Sequence, residues 1–313
     1  MLQKQIFTAP TPRGAVRCVV DAHAQLGEGA CWSPRLQQLW WVDILGRQLH
    51  RYNPADGSQQ SWTFDEEVSA VAECTDGPGL MLTLRRGFAH FDPTQADALP
   101  LYRHCPPTEP VSNRFNDGKC DVAGRFWGGT MDFACEAPSG ALYRFDPDGQ
   151  CSQHDKGWVV TNGPTWSLDQ RTLYANDTVQ GRIYAYDFDA ATGSLAHRRL
   201  WHSFAEGDGL PDGMTTDAAG RLWIAHWGAG CVTAHHPETA EELCRISLPA
   251  SQITSCAFGG ADLQTLYITS AAVGLAAEQL AAEPLAGALF AVEINSPGLR
   301  ANTFGPVFLG QLP

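Results

Sequence analysis

Basic residues are scarce: 21 Lys and Arg stand against 34 Asp and Glu in 313 residues, a formal net charge of −13. No basic cluster exceeds the pairs Arg85-Arg86 and Arg198-Arg199, so the chain lacks the positive stripe that tracks a phosphate backbone and nucleic acid is excluded as a partner. Long apolar runs are missing too. No 18-residue apolar stretch occurs and Met1 to Gly14 is polar, which excludes a helical membrane span and makes a cytoplasmic protein without a membrane partner the expectation. The ten cysteines are scattered, with no Cys-x-x-Cys pair; a zinc knuckle or disulfide framework loses support, and the thiols read as reduced. Gly-x-Ser-x-Gly, His-Glu-x-x-His and Walker motifs are absent, which removes a serine hydrolase, a zincin and a nucleotide hydrolase. Helical periodicity is confined to a short turn at Ala276 to Ala282.

What is present is repetition. Short apolar segments centred on Leu39, Leu82, Phe126, Leu173, Leu222 and Leu266 recur every 43 to 49 residues. Each is followed by a second alternating segment, as in Gly87-Phe88-Ala89-His90-Phe91-Asp92-Pro93 and Gly140-Ala141-Leu142-Tyr143-Arg144-Phe145-Asp146-Pro147. Alternation with a period of two means strands. Turn signals such as Asp148-Gly149 and Thr192-Gly193 then lead to a further, outer strand. Four strands in about 45 residues, repeated six times, predict an all-β, six-bladed β-propeller with four-stranded blades. We expect a tail over 1–14 and one propeller domain over 15–313, its ring closed by Val16 to Ala22 joining the final blade.

In a propeller the innermost strand of each blade starts at the central channel, about ten residues before the second strand. Counting back from the six anchors reaches Glu28, Val71, Asn116, Asn162, Asp212 and Ser255. Asn or Asp before Gly is an ordinary turn residue when taken singly. Four oxygen-bearing side chains at equivalent positions around one axis form a site instead. Carboxylates and amide oxygens are hard ligands that suit Ca²⁺, Mn²⁺ or Mg²⁺ and are accepted by Zn²⁺ and Fe²⁺. The loop Asp132 to Ser139, with Glu136, is expected over the channel, and Asp177 near its rim. Glu136 reads equally as a solvated loop charge. His226 is expected to be packed or substrate-adjacent and not a ligand, and His235-His236 to occupy an outer turn.

The stretches Leu26-Gly27-Glu28-Gly29-Ala30-Cys31-Trp32, Asn113-Arg114-Phe115-Asn116-Asp117-Gly118-Lys119, Thr161-Asn162-Gly163-Pro164 and Pro211-Asp212-Gly213-Met214 resemble the senescence marker protein (regucalcin)/gluconolactonase family, most of all its bacterial sugar lactonases such as xylonolactonases. The resemblance implies a metal held by Glu28, Asn162 and Asp212, with Arg114, Asn116 and Glu136 contacting the sugar. Pro164-Thr165-Trp166 departs from the Leu-Asp-Trp of animal members. The expected activity is hydrolysis of a sugar lactone to the aldonic acid, dependent on one divalent ion (Ca²⁺, Zn²⁺, Mn²⁺ or Fe²⁺), with Asp212 the candidate general base. A paraoxonase-like esterase and a non-enzymatic metal-binding propeller are the alternatives.

Overall fold

Six antiparallel sheets of four strands follow one another around a ring in the computed structural model, which describes residues 8–306. The six innermost strands are Gly27–Ser33, Val68–Glu73, Asn113–Cys120, Thr161–Trp166, Leu210–Thr216 and Ile253–Gly259. Five blades are built in chain order from inside to outside. The sixth runs Ile253–Gly259, Thr265–Ser270, Leu289–Glu293 and then Arg17–Val20, so the N-terminal strand closes the ring by pairing Arg17 with Ala291 and Cys18 with Phe290. The expected closure is therefore observed. Ahead of that strand, Pro12 bridges to Ile294 and the Arg13 N–H donates to the Glu293 carbonyl. The only helix among the described residues is Ala277–Ala282, in the loop between the second and third strands of blade 6.

The alternating pattern buries its apolar sides between neighbouring blades, and a cluster fills each of the six contacts. Blades 5 and 6 meet through Trp223, Val232, Ile253, Phe258 and Phe290. Blades 3 and 4 meet through Trp127, Leu142, Trp158, Trp166 and Leu173.

Between first and second strands the turn is built the same way in blades 3 and 5. Asp121 accepts from the Arg125 Nε at 2.7 Å and the Trp127 Nε1 at 2.9 Å; Asp217 does the same for Arg221 and Trp223 at the same two distances. These modules explain the repeated Asp-x-x-Gly-Arg-x-Trp, because each carboxylate is fully hydrogen-bonded while it locks a turn to the following strand.

Every pairing of first with second strand is interrupted by a register shift at the channel. A bulge twists the strand and re-aims a side chain. The shifts fall at or beside Glu28, Asn116, Asn162 and Asp212, where the repeat count placed them. In blades 2 and 6 the unpaired residues are Ser69 and Thr254. The count reached Val71 because its anchor Leu82 lies two residues beyond Leu80, whose pairing with Glu73 is the equivalent of Leu39 with Trp32, and it reached Ser255 because the turn between Phe258 and Leu266 is one residue longer than that between Trp32 and Leu39.

The opposite end of the channel opens into a cavity of about 100 Å³, lined among others by Asp117, Lys119, Trp32 and Trp166 and covered by Leu299–Asn302.

Candidate metal and substrate centre

The first ends of the inner strands and the last residues of the second strands share one face of the ring. Several second strands end in an aspartate that ties down the next loop or the approach to the channel. Asp43 accepts from the N–H groups of Gln25, Leu26 and Gly46, which fixes the turn that delivers Glu28. Asp177 does the equivalent for Val159 and Val160; it is buried and structural, not an open rim group.

Glu28, Asn162 and Asp212 are 4, 5 and 4% exposed. The Glu28 and Asp212 carboxyls lie side by side, and both are pushed well above the ordinary carboxylate range, first by burial and then by neighbouring carboxylates. Asp117 is the third member of this group; burial raises its carboxyl to about 6 against the pull of Lys119. Two negative carboxylates in contact and out of water repel each other unless a proton or a cation lies between them. Gly213 permits the crowding: a Cβ there would stand 2.5 Å from the Ser255 Oγ.

Asn162 is held by its amide. Its Nδ2 donates to the Thr178 Oγ1 at 2.8 Å, and Thr178 donates in turn to the Pro211 carbonyl at 2.8 Å. The Oδ1 is thereby turned to the opposite side, where it accepts from the Asn116 Nδ2 at 3.0 Å. Gly163, at φ +84°, makes the turn that follows. The Asn176 Nδ2 donates to the Asp212 carbonyl at 2.6 Å and fixes the neighbouring backbone. Thr178 and Asn176 were missed by sequence reading. Their one signal was Asn176-Asp177-Thr178, which also spells a glycosylation acceptor.

Arg114 and Asn116 form the adjoining group. The Arg114 Nη1 donates to the Asn116 Oδ1 at 2.6 Å and to the Phe115 carbonyl at 2.9 Å, and burial draws the guanidinium down to about 10. Glu136 is not gathered with them. It is exposed on the loop after Asp132, whose carboxylate accepts the Glu136 and Ala137 N–H groups. The side chain this loop sets against Arg114 is Phe133, its ring centre 5.8 Å from the guanidinium. His226 is fully buried opposite Pro211, its ring in a chain through Thr233 to His235, so it is the packed histidine that was expected. His235 ends the third strand of blade 5, and His236 opens the turn to the outer one.

Among the described residues no trio of His, Cys, Asp and Glu converges as a metal cluster. The set here is two carboxylates and one amide, which suits a hard divalent ion. One observation bears directly on the fit: the Asp212 Oδ1 is buried without a hydrogen-bond partner. A cation beside Glu28 and Asp212 would satisfy that oxygen and remove the repulsion. No helix among the described residues is long and apolar enough to cross a membrane.

Known proteins resemble this chain in sequence and fold. The profile of the SMP-30/Gluconolactonase/LRE-like region matches residues 26–272. The 6-deoxy-6-sulfogluconolactonase of Pseudomonas putida is 37% identical over 296 residues, covering 94% of this chain and 99% of that protein. Regucalcin of Danio rerio is 36% identical over 279 residues, 88% of this chain and 93% of its own length. The crystal structure of a calcium-binding regucalcin from Agrobacterium tumefaciens superposes with a TM-score of 0.88 at 27% identity, covering 96% of this chain and 99% of the other. Fold, repeat positions and sequence agree: the chain belongs to the SMP-30/gluconolactonase/LRE-like family.

Proposed function

We propose that this protein is a divalent-metal-dependent lactonase that opens the ring ester of a sugar lactone to give the aldonic acid. The observation that carries the reading is the buried pair Glu28 and Asp212, with an unsatisfied carboxylate oxygen, beside an arginine–asparagine pair able to bind hydroxyls. Relatives named as a sugar lactonase and a calcium-binding protein support it.

In this reading Glu28, Asn162 and Asp212 hold the ion. Once bound, it supplies Lewis-acid polarisation of the lactone carbonyl. Asn116 keeps the Asn162 Oδ1 facing the ligand set and, with Arg114, orients the ring hydroxyls. Glu136, exposed on the loop above, meets the outermost hydroxyl. Asp212 takes a proton from the attacking water as its oxygen bonds to the carbonyl carbon. That proton passes to the ring oxygen as the ester C–O bond breaks, leaving a free hydroxyl and a carboxylic acid that then loses its proton to solvent to give the carboxylate. A neutral lactone meets no repulsion from an acidic protein, and the anionic product does.

The test is lactone hydrolysis across Ca²⁺, Mn²⁺, Zn²⁺ and Fe²⁺, with and without chelator. Turnover lost on chelation and restored by one of these ions is the expected result. Turnover indifferent to chelator removes the metal, and metal binding without turnover of any lactone or simple ester leaves a binding module.

A further inference from the structure

Blade 2 supplied no polar side chain in the repeat count, yet it contributes a charged pair to the channel mouth. Glu67 immediately precedes its inner strand Val68–Glu73, and Arg85 immediately follows its second strand Leu80–Leu84, so topology puts both on the face where Glu28 and Asp212 stand. Arg85 is tied to blade 3, because its carbonyl accepts the Phe115 N–H at 3.1 Å, one residue from Arg114. The Phe133 ring joins the two guanidiniums: its centre is 5.1 Å from the Arg85 Cζ and 5.8 Å from that of Arg114. This ring is 41% exposed.

The Glu67 side chain is only 14% exposed. Its Oε2 is shielded from solvent without a hydrogen-bond partner, and the nearest cation, the Arg85 Nη1, is 3.6 Å away. That separation gives Coulomb attraction without a hydrogen bond. A shielded carboxylate oxygen with an unmade bond is costly unless a donor arrives. Such a donor has to be uncharged or cationic and small enough to enter between Glu67, Arg85 and Phe133. A sugar ring qualifies in three ways: one hydroxyl donates to the carboxylate, a neighbouring hydroxyl oxygen accepts from the guanidinium, and the C–H face lies on an aromatic ring.

The structure assigns Glu67, held by Arg85, as a specificity-determining residue that accepts a hydrogen bond from a ring hydroxyl of the substrate, selecting polyhydroxylated lactones over alkyl lactones. This rests on the lactonase reading for its substrate and deepens it. Among the described residues no hydrogen bond links Glu67 to Glu28 or Asp212; its effect is therefore on substrate binding and not on the ester chemistry.

The experiment compares Glu67→Ala, Glu67→Gln and Arg85→Met with the parent protein on two substrates, an aldonolactone and an unsubstituted lactone of the same ring size. Equilibrium binding of 1,5-anhydroglucitol, a cyclic polyol that cannot be hydrolysed, is measured alongside. Glu67→Ala is expected to lower kcat/KM for the aldonolactone about 10- to 100-fold, chiefly through KM, the loss typical of a hydrogen bond to a charged group. It leaves the unsubstituted lactone within about threefold by the same reasoning. Glu67→Gln, which keeps an acceptor oxygen, restores part of the loss, and Arg85→Met falls between. Equal losses on both lactones, or none on the aldonolactone, overturn the assignment. If the parent protein opens neither lactone, the lactonase reading fails by itself. The subsite then stands or falls on whether Glu67→Ala abolishes binding of the cyclic polyol.

Discussion

Buried carboxylates occur at two levels of the inner strands, and they are treated in opposite ways. At the turns beyond the strands, Asp121 and Asp217 are 0% exposed, yet each is met by a guanidinium, an indole N–H and backbone N–H groups. At the strand beginnings Glu28, Asp117 and Asp212 are almost as deeply buried, but they face one another, and Asp117 and Asp212 each keep an oxygen with no partner. Burial alone therefore does not distinguish a structural acid from a functional one. The difference lies in completion: the turn acids are fully hydrogen-bonded, whereas the channel acids keep buried oxygens without a partner.

Removing a carboxylate from each level sharpens that contrast. Asp212→Asn keeps size and one oxygen and removes the charge, so metal affinity falls, and a rate deficit of about 10²- to 10⁴-fold persists at saturating metal if Asp212 is also the base. Turnover across a metal titration, with spontaneous ring opening subtracted, checks it. Full rescue by metal reduces Asp212 to a ligand. The metal-free variant should melt no lower than the parent, because a repelling charge has gone.

Asp217→Ala should do the reverse. It strands the Arg221 guanidinium, whose side chain is 5% exposed, and breaking such a pair costs about 3–5 kcal/mol. Urea unfolding measures this. A loss below about 1 kcal/mol would place the module among surface ion pairs, which contribute little.

Acid should weaken the packing around the buried histidines. Burial lowers the His226 imidazole from 6.5 to about 4, and His50 and His154 move the same way to about 4. The unfolded chain takes up these protons near pH 6.5 and the folded chain only near 4. Their contribution is thus whole above pH 6.5 and is lost as pH falls from 6.5 to 4, about 3 kcal/mol for fully buried His226. Urea midpoints at pH 7 and 5 should separate for the parent protein, and less so for His226→Asn.

The smallest effect concerns the group beside the acids. Arg114→Ala should weaken use of the lactone by about 1–3 kcal/mol while leaving metal affinity nearly unchanged. Metal titration by calorimetry alongside kcat/KM tests the split. A large fall in metal affinity would make Arg114 part of the ligand scaffold through Asn116.

Much of this was legible before any coordinates. Strand alternation and the repeat of about 45 residues fixed blade number and strand order, because a two-residue period and a turn signal are local properties of the chain. The count to Glu28, Asn116, Asn162 and Asp212 worked because these blades carry the same bulge at the same distance from their anchors. It slipped in blade 2, where Leu82 lies two residues along its strand from the equivalent anchor Leu80, and in blade 6, where the turn before Leu266 is one residue longer; a period of two leaves both shifts invisible to a hydrophobic pattern. The loop that carries Glu136 was readable by position, but which of its side chains meets Arg114 depends on Asp132 turning the backbone, and it sets Phe133 there.

The sequence by itself therefore determined the six blades, the axis and the residue types that ring it, since all of these follow from periodicity and from where chain-local turns fall. Only the tertiary structure decided which carboxylates are completed and which are left wanting a partner. It also decided that Thr178 aims Asn162, and that Glu67 and Arg85 meet at the mouth. Those outcomes depend on contacts between blades, such as Thr178 reaching the Pro211 carbonyl 33 residues away. Such a contact forms only when the ring closes and brings neighbouring inner strands side by side, a condition that no local run of residues carries.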